Sequence, residues 1–229
     1  MDRVNKLAFK LDLLNLKVQI NNSLISALSI ESLLEHCNSS LKEIFERLDE
    51  SLGDSGIDRN AYFHGIFLVN IVSGIELYFV ELMKTILKRY PKKISGIEFS
   101  LSDVLGYSDD EIIRIASERY INEIMYKKPL DYMSKLCEIL SIQKADIETF
   151  WPSYIETKAR RDLGIHNNWI INDVYIRKTN EVGIKTNKIE GSNLCPEEEY
   201  LHQRFDEIKQ LIDRINSLVI LKYQLENIT

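Results

Sequence analysis

Three cysteines in 229 residues, Cys37, Cys137 and Cys195, are too scattered for a CxxC metal site and odd in number for a disulfide framework. They read as buried or incidental thiols in a reducing compartment, so a cytoplasmic location is expected. Proline (4) and glycine (9) are scarce beside a hydrophobic content of 45%. That balance disfavours turn-rich sheet and favours long helices around a real core. Positive charge is not in excess either. Lys and Arg total 29 against 35 Asp and Glu, a net charge of −6. A protein that coats nucleic acid without specificity is thereby disfavoured, although a local basic cleft is not. No P-loop, GxGxxG or HExxH is present, and His64 and His202 sit in unsuitable company for a metal, so no cofactor and no metal site is expected. No secretory signal is read at the N-terminus. Phe63 to Met83 is long and apolar, but it carries His64, Asn70, Glu76 and Glu81, which reads as a buried helix and not a membrane span.

What is there is helical periodicity. Val4, Leu7, Leu11, Leu14 and Val18 fall on one stripe, and Ile30, Leu34, Cys37, Leu41, Ile44, Leu48 and Leu52 on a second. They predict amphipathic helices near 3–27 and 30–52, with Ser29 as a cap between them, and packing within the chain as their default use. The polar stretch Gly53 to Asp58 is the clearest break. A long helix follows to about Arg89, stopped by Pro91, and apolar on several sides. Its tail, Lys84, Lys88, Arg89, Lys92 and Lys93, is basic. That tail reads either as charge complementing the helix dipole or as an RNA-facing patch. Ser108-Asp109-Asp110-Glu111 has the spacing of a capping box. Pro129 ends the helix it opens, and Asp131 caps a shorter one. Another helix follows Asp146 or Trp151, with Pro152 tolerated in its first turn. Val174-Tyr175-Ile176 and Val182 to Thr186 are β-prone and read as a small hairpin near 174–186. Pro196 and the acids after it open a terminal helix. The fold class is therefore all-α, an up-and-down helical bundle with an N-terminal helical pair. It is read as one domain over 1–229, with amphipathic helices in 1–58 and the core in 59–229.

Late in the helix after Trp151 lies the densest chemistry in the chain, Lys158-Ala159-Arg160-Arg161-Asp162-Leu163-Gly164-Ile165-His166-Asn167-Asn168. Asp162 and His166 are four residues apart, neighbours on a helix, where a carboxylate orients an imidazole and favours its protonated form. Arg161 is turned about 140° from His166 on an ideal helix. Its length, and Gly164 between them, can narrow that gap. Arg160 is no worse placed by angle, so geometry leaves both arginines open. A guanidinium and an imidazole suit phosphoryl chemistry on RNA without a metal: the imidazole moves a proton, and the guanidinium stabilises charge on the phosphate.

The segment Arg161-Asp162-Leu163-Gly164-Ile165-His166-Asn167-Asn168, leading to Ile171-Asn172 and Tyr175, resembles the R-x4–6-H motif of the HEPN superfamily, bacterial defence and toxin type. There a polar residue usually follows the arginine, a rule that selects Arg161 over Arg160. Upstream, Ser73-Gly74-Ile75-Glu76-Leu77-Tyr78 is similar to the Ser-x-x-Glu-x-Tyr pattern of the helix facing the motif helix. The resemblance covers about 60–226. It implies a metal-independent endoribonuclease acting on RNA as a homodimer with both motifs in one cleft, in toxin or anti-phage defence, and an antitoxin or defence-complex partner. Arg161 and His166 are implied to be catalytic with Asp162 orienting them, Arg160, Asn167 and Lys158 to contact substrate, and Glu76 to brace Arg161. A non-catalytic helical module that binds protein or RNA is the alternative.

Overall fold

A computed structural model of the chain describes residues 3–35, 46–47, 50, 59–185 and 189–223. Among them are eight α-helices and no strand: α1 (Arg3–Glu35), α2 (Arg59–Arg89), α3 (Leu101–Val104), α4 (Asp109–Met125), α5 (Pro129–Leu140), α6 (Trp151–Asn167), α7 (Asp173–Glu181) and α8 (Glu198–Lys222). The protein is all-α. It divides into two compact units, one formed by 1–18, 76–151 and 211–229, the other by 19–75 and 152–210.

The first unit is built on aromatic packing. Phe79 of α2, Tyr132 of α5 and Trp151 meet with ring centroids 5.2 to 6.4 Å apart, and Trp151 Nε1 donates to the Pro129 carbonyl at 3.0 Å. Such pairs add about 0.5–1.5 kcal/mol each beyond the area they bury. Of the local capping signals, one holds and one moves. Ser108 and Glu111 make both halves of the capping box. Proline begins α5 as its first residue after Lys128, so Asp131 serves as first-turn charge and not as the cap. Cys137 is buried, and burial pushes its thiol up to about 11.

Three expectations are corrected or narrowed. First, α1 is one helix across 27–30, with no break at Ser29. Its buried positions in the first unit are Phe9 and Leu13, while Leu7, Leu11, Leu14 and Val18 remain 39–56% exposed. The helix carries two apolar stripes, and the intramolecular core takes the one with the aromatic residue. The second stripe beyond Glu35, and the break at 53–58, lie outside the described residues. Second, of the two readings of the basic tail of α2, charge at the helix C-terminus holds for Lys88 and Arg89, and several of the cations are paired within the chain. Arg89 pairs with Asp12 at 2.7 Å and stacks over Phe9, Lys84 pairs with Glu81 at 2.8 Å, and Lys93 donates to Ser141 Oγ at 2.6 Å. Third, residues 173–181 form α7 and not a hairpin strand. The Asn172 side chain accepts from the Tyr175 amide as an N-cap, Asp173 charges the first turn, and Tyr175 and Thr179 bury one face at helical spacing. Capping and the i, i+4 pair override the β-propensity of Val174 and Ile176.

Residues 61–89 of α2 are long and apolar enough to cross a membrane by length and composition, and half of the most apolar window is buried inside the protein.

Candidate functional site

All of α6 after Trp151, with α7 and the segment 189–210, belongs to the second unit. Its interior turns on Glu156. This carboxylate is 6% exposed and accepts three hydrogen bonds, from Arg160 Nε at 2.9 Å, Tyr175 Oη at 2.8 Å and Tyr200 Oη at 2.6 Å. Arg160 is 7% exposed, and its guanidinium lies 3.6 Å from the centre of the Tyr200 ring. A buried pair survives only when it is hydrogen-bonded this fully. Burial first, and then the Glu156 charge, push the Tyr175 and Tyr200 phenols upward, so both stay protonated donors. Arg160, expected at the substrate, is instead an interior residue that ties α6 to α7 and to the start of α8.

The next residue, the other arginine, has a different setting. Arg161 Nε lies 3.2 Å from Asp162 Oδ1, and Lys178 Nζ of α7 donates to Asp162 Oδ2 at 2.9 Å. Lys158, one turn before on α6, is half-buried. Burial, and then the Arg161 and Lys178 charges, lower its ammonium to about 8. Lys158, Arg161 and Lys178 thus gather three cationic side chains near one carboxylate at a half-buried surface. Asp162 does not orient His166: among the described residues no ion pair joins them, and the carboxylate is committed to Arg161 and Lys178. His166 itself is exposed at the last turn of α6.

The end of α6 is tightly determined. Asn167 Nδ2 donates to the Ile170 carbonyl, so the side chain expected at the substrate closes the helix end. Asn168 (φ 47°) and Trp169 (φ 63°) are both left-handed, and the Trp169 amide returns to the Leu163 carbonyl at 3.1 Å. Two successive non-glycine residues in that region are costly and persist only where neighbours hold them. Those neighbours are identifiable. Backbone bonds tie 169–171 to 191–194, and the Trp169 indole lies on two glycines. A Cβ on Gly65 of α2 would stand 2.7 Å from Cζ2 of the indole, and one on Gly164 would overlap the same ring. Gly164 is therefore a close-packing residue in an unbroken helix, and not a loosened joint between Arg161 and His166.

Beside this indole opens a cleft of about 720 Å³ lined by Tyr62, Gly65, Ile66 and Asn70 of α2, by Gly164 and Ile165 of α6, and by Asn168, Trp169, Asn193 and Cys195. It was not foreseen. The available signal was a pair of glycines inside otherwise good helices, each costing about 1 kcal/mol of helix propensity relative to alanine. Glu156 was also missed, although Glu156 and Arg160 stand at i, i+4. Glu76 belongs to the first unit and is half-buried there, so its expected bracing of Arg161 has no described geometry. Comparison of the chain with protein-family models, curated proteins and solved structures finds no match in any of the three.

Proposed function

We propose that the chain is a HEPN-type endoribonuclease that cuts RNA without a metal, with Arg161 and His166 as catalytic residues and a homodimer as the working form. The observation that supports this best is the grouping of Lys158, Arg161 and Lys178 around Asp162, one turn before an exposed His166. Cationic side chains grouped in this way suit a phosphate and the charge that grows on it in the transition state. In the reaction, the imidazole takes the proton of a ribose 2′-hydroxyl. The 2′-oxygen bonds to phosphorus, the bond from phosphorus to the 5′-oxygen breaks, and that oxygen leaves with a proton. One imidazole cannot be base and acid in the same step, so the acid is His166 of a second copy. Asp162 acts as a positioning residue through Arg161 and Lys178. A role in toxin or anti-phage defence, in the cytoplasm and under the control of a neutralising partner, follows from the same resemblance.

The test is cleavage of tRNA and mRNA by purified protein in excess EDTA, beside Arg161→Ala and His166→Ala. Ends carrying 2′,3′-cyclic phosphate, lost in both variants, are the expected result. No cleavage, or equal cleavage by the variants, refutes it.

A non-catalytic binding module remains the second reading, and the exposed stripe Leu7, Leu11, Leu14 and Val18 on α1 favours it. Growth inhibition on expression that His166→Ala abolishes at equal protein level would count against it.

A further inference from the structure

We propose that the cleft beside Trp169 is a nucleobase-binding subsite, which holds one base of the RNA whose phosphate lies at Lys158, Arg161 and Lys178. The proposal rests on the ribonuclease reading for the identity of its ligand.

The lining decides the ligand class. None of the residues around the cleft carries a charge: it is made of apolar and aromatic side chains, three asparagines, two glycines and a cysteine. A phosphate or carboxylate would find no charged partner there. A flat neutral heterocycle fits, because it needs a π face for stacking and amides for its edge. Tyr62 is exposed at one wall and Trp169 forms another. Asn70 uses its Nδ2 on the Ile66 carbonyl, and Asn193 its Oδ1 on the Cys195 amide. Their remaining amide halves are one acceptor and one donor, and Asn168 adds a third amide. An amide acceptor and an amide donor can each meet one edge group of a base.

The position of the cleft supports the same assignment. Lys158, Arg161 and Ile165 follow at i, i+3 and i+7 and share one stripe of α6. The cationic part of that stripe ends at Arg161 and the neutral cleft begins at Ile165, about 6 Å further along the axis. That separation is within the reach of a single nucleotide. Charge for the phosphate and a neutral slot for the base are thus laid out in order along one helix, with His166 next to Ile165 in the chain. The strained, glycine-packed setting of Trp169 holds the wall in place before any ligand arrives, which is what a selective pocket requires.

The experiment is calorimetric titration of the wild-type protein with AMP, GMP, CMP and UMP, with ribose 5-phosphate as the ligand that has a phosphate and no base. At least one nucleotide is expected to bind more than about tenfold tighter than ribose 5-phosphate. Tyr62→Ala should weaken it by roughly 5- to 100-fold, the usual effect of removing a stacking ring, and Tyr62→Phe should bind like the wild type. Circular dichroism checks that both variants fold. Equal binding of ribose 5-phosphate, indifference to Tyr62→Ala, or no binding of any nucleotide overturns the proposal. So does nucleotide binding seen only on dilution as a dimer dissociates, since the cleft then belongs to a second copy. RNA cleavage measured in parallel separates the two ideas. Cleavage that needs His166 without nucleotide binding sinks the subsite alone, and nucleotide binding without cleavage sinks the nuclease alone.

Discussion

Asp162 is held by Lys178, Oδ2 to Nζ at 2.9 Å, across from one helix to the next, and not by the histidine four residues along its own helix. The carboxylate therefore organises cations and makes no ion pair with the imidazole among the described residues. A pair about 30% exposed on each side adds only about 0.2–1 kcal/mol to stability. Lys178→Ala should accordingly leave the melting temperature nearly unchanged while weakening RNA binding. In salt titrations on the His166→Ala background, the slope of log K against log salt should become shallower by about 0.7, the value for one lost contact to single-stranded phosphate. An unchanged slope would remove Lys178 from the RNA interface.

Lys158 should impose a pH dependence of its own. Its ammonium is lowered to about 8 in the folded chain, by burial first and by Arg161 and Lys178 after it, against an ordinary value near 10.4 when unfolded. Between those values the unfolded chain binds the extra proton, so stability must rise with pH through that window. The charged lysine is a penalty below about pH 8 that is relieved above it. Relative to Lys158→Met, the wild type should gain stability between pH 8 and 10. Its RNA affinity should fall over the same range as the charge is lost, and Lys158→Arg should flatten that fall.

Removing one partner from a buried charge pair costs far more than a surface pair. Arg160→Ala leaves Glu156 buried with two phenols and no cation, at a cost of about 3–5 kcal/mol. Tyr175→Phe removes one hydrogen bond to the carboxylate and should cost about 1.5–3 kcal/mol. Urea denaturation reads both. If Arg160→Ala were as stable as the wild type but bound RNA poorly, Arg160 would have to be returned to the substrate.

Gly164→Ala reports on Trp169. Better helix propensity gains about 1 kcal/mol, and forcing a methyl group against the indole costs about 1–3 kcal/mol, so a net loss is expected. On a Trp169→Ala background the same change should become stabilising. Absence of that reversal in a thermal-melt cycle would mean that the ring does not set the glycine.

Much of the helical order was legible from local chemistry. Ser108 and Glu111 close their own cap, Pro91 and Pro152 mark a stop and a start, and each signal is complete within four residues. What failed depended on partners distant in the chain. The stripe of Leu7 to Val18 is as periodic as a core stripe, and only the fold chooses Phe9 and Leu13 instead. Val174-Tyr175-Ile176 has strand propensity, and the burial of Tyr175 at Glu156 decides for helix. The choice between the two arginines is of the same kind. Spacing left it open, and the difference is that Arg160 reaches Glu156 and Tyr200 while Arg161 sits beside Asp162. Gly164 was read as slack because a glycine's missing side chain says nothing by itself of what fills its place.

Gly65, Gly164 and Trp169 also set the order in which this corner of the protein can be inherited differently. A side chain introduced first at either glycine meets the indole, so such a change should be disfavoured. Loss of the tryptophan first opens space that both helices can then fill with side chains, after which a return to tryptophan is blocked. The three positions behave as a one-way latch: lineages that keep the ring should keep both glycines, and lineages that lose it should not regain it.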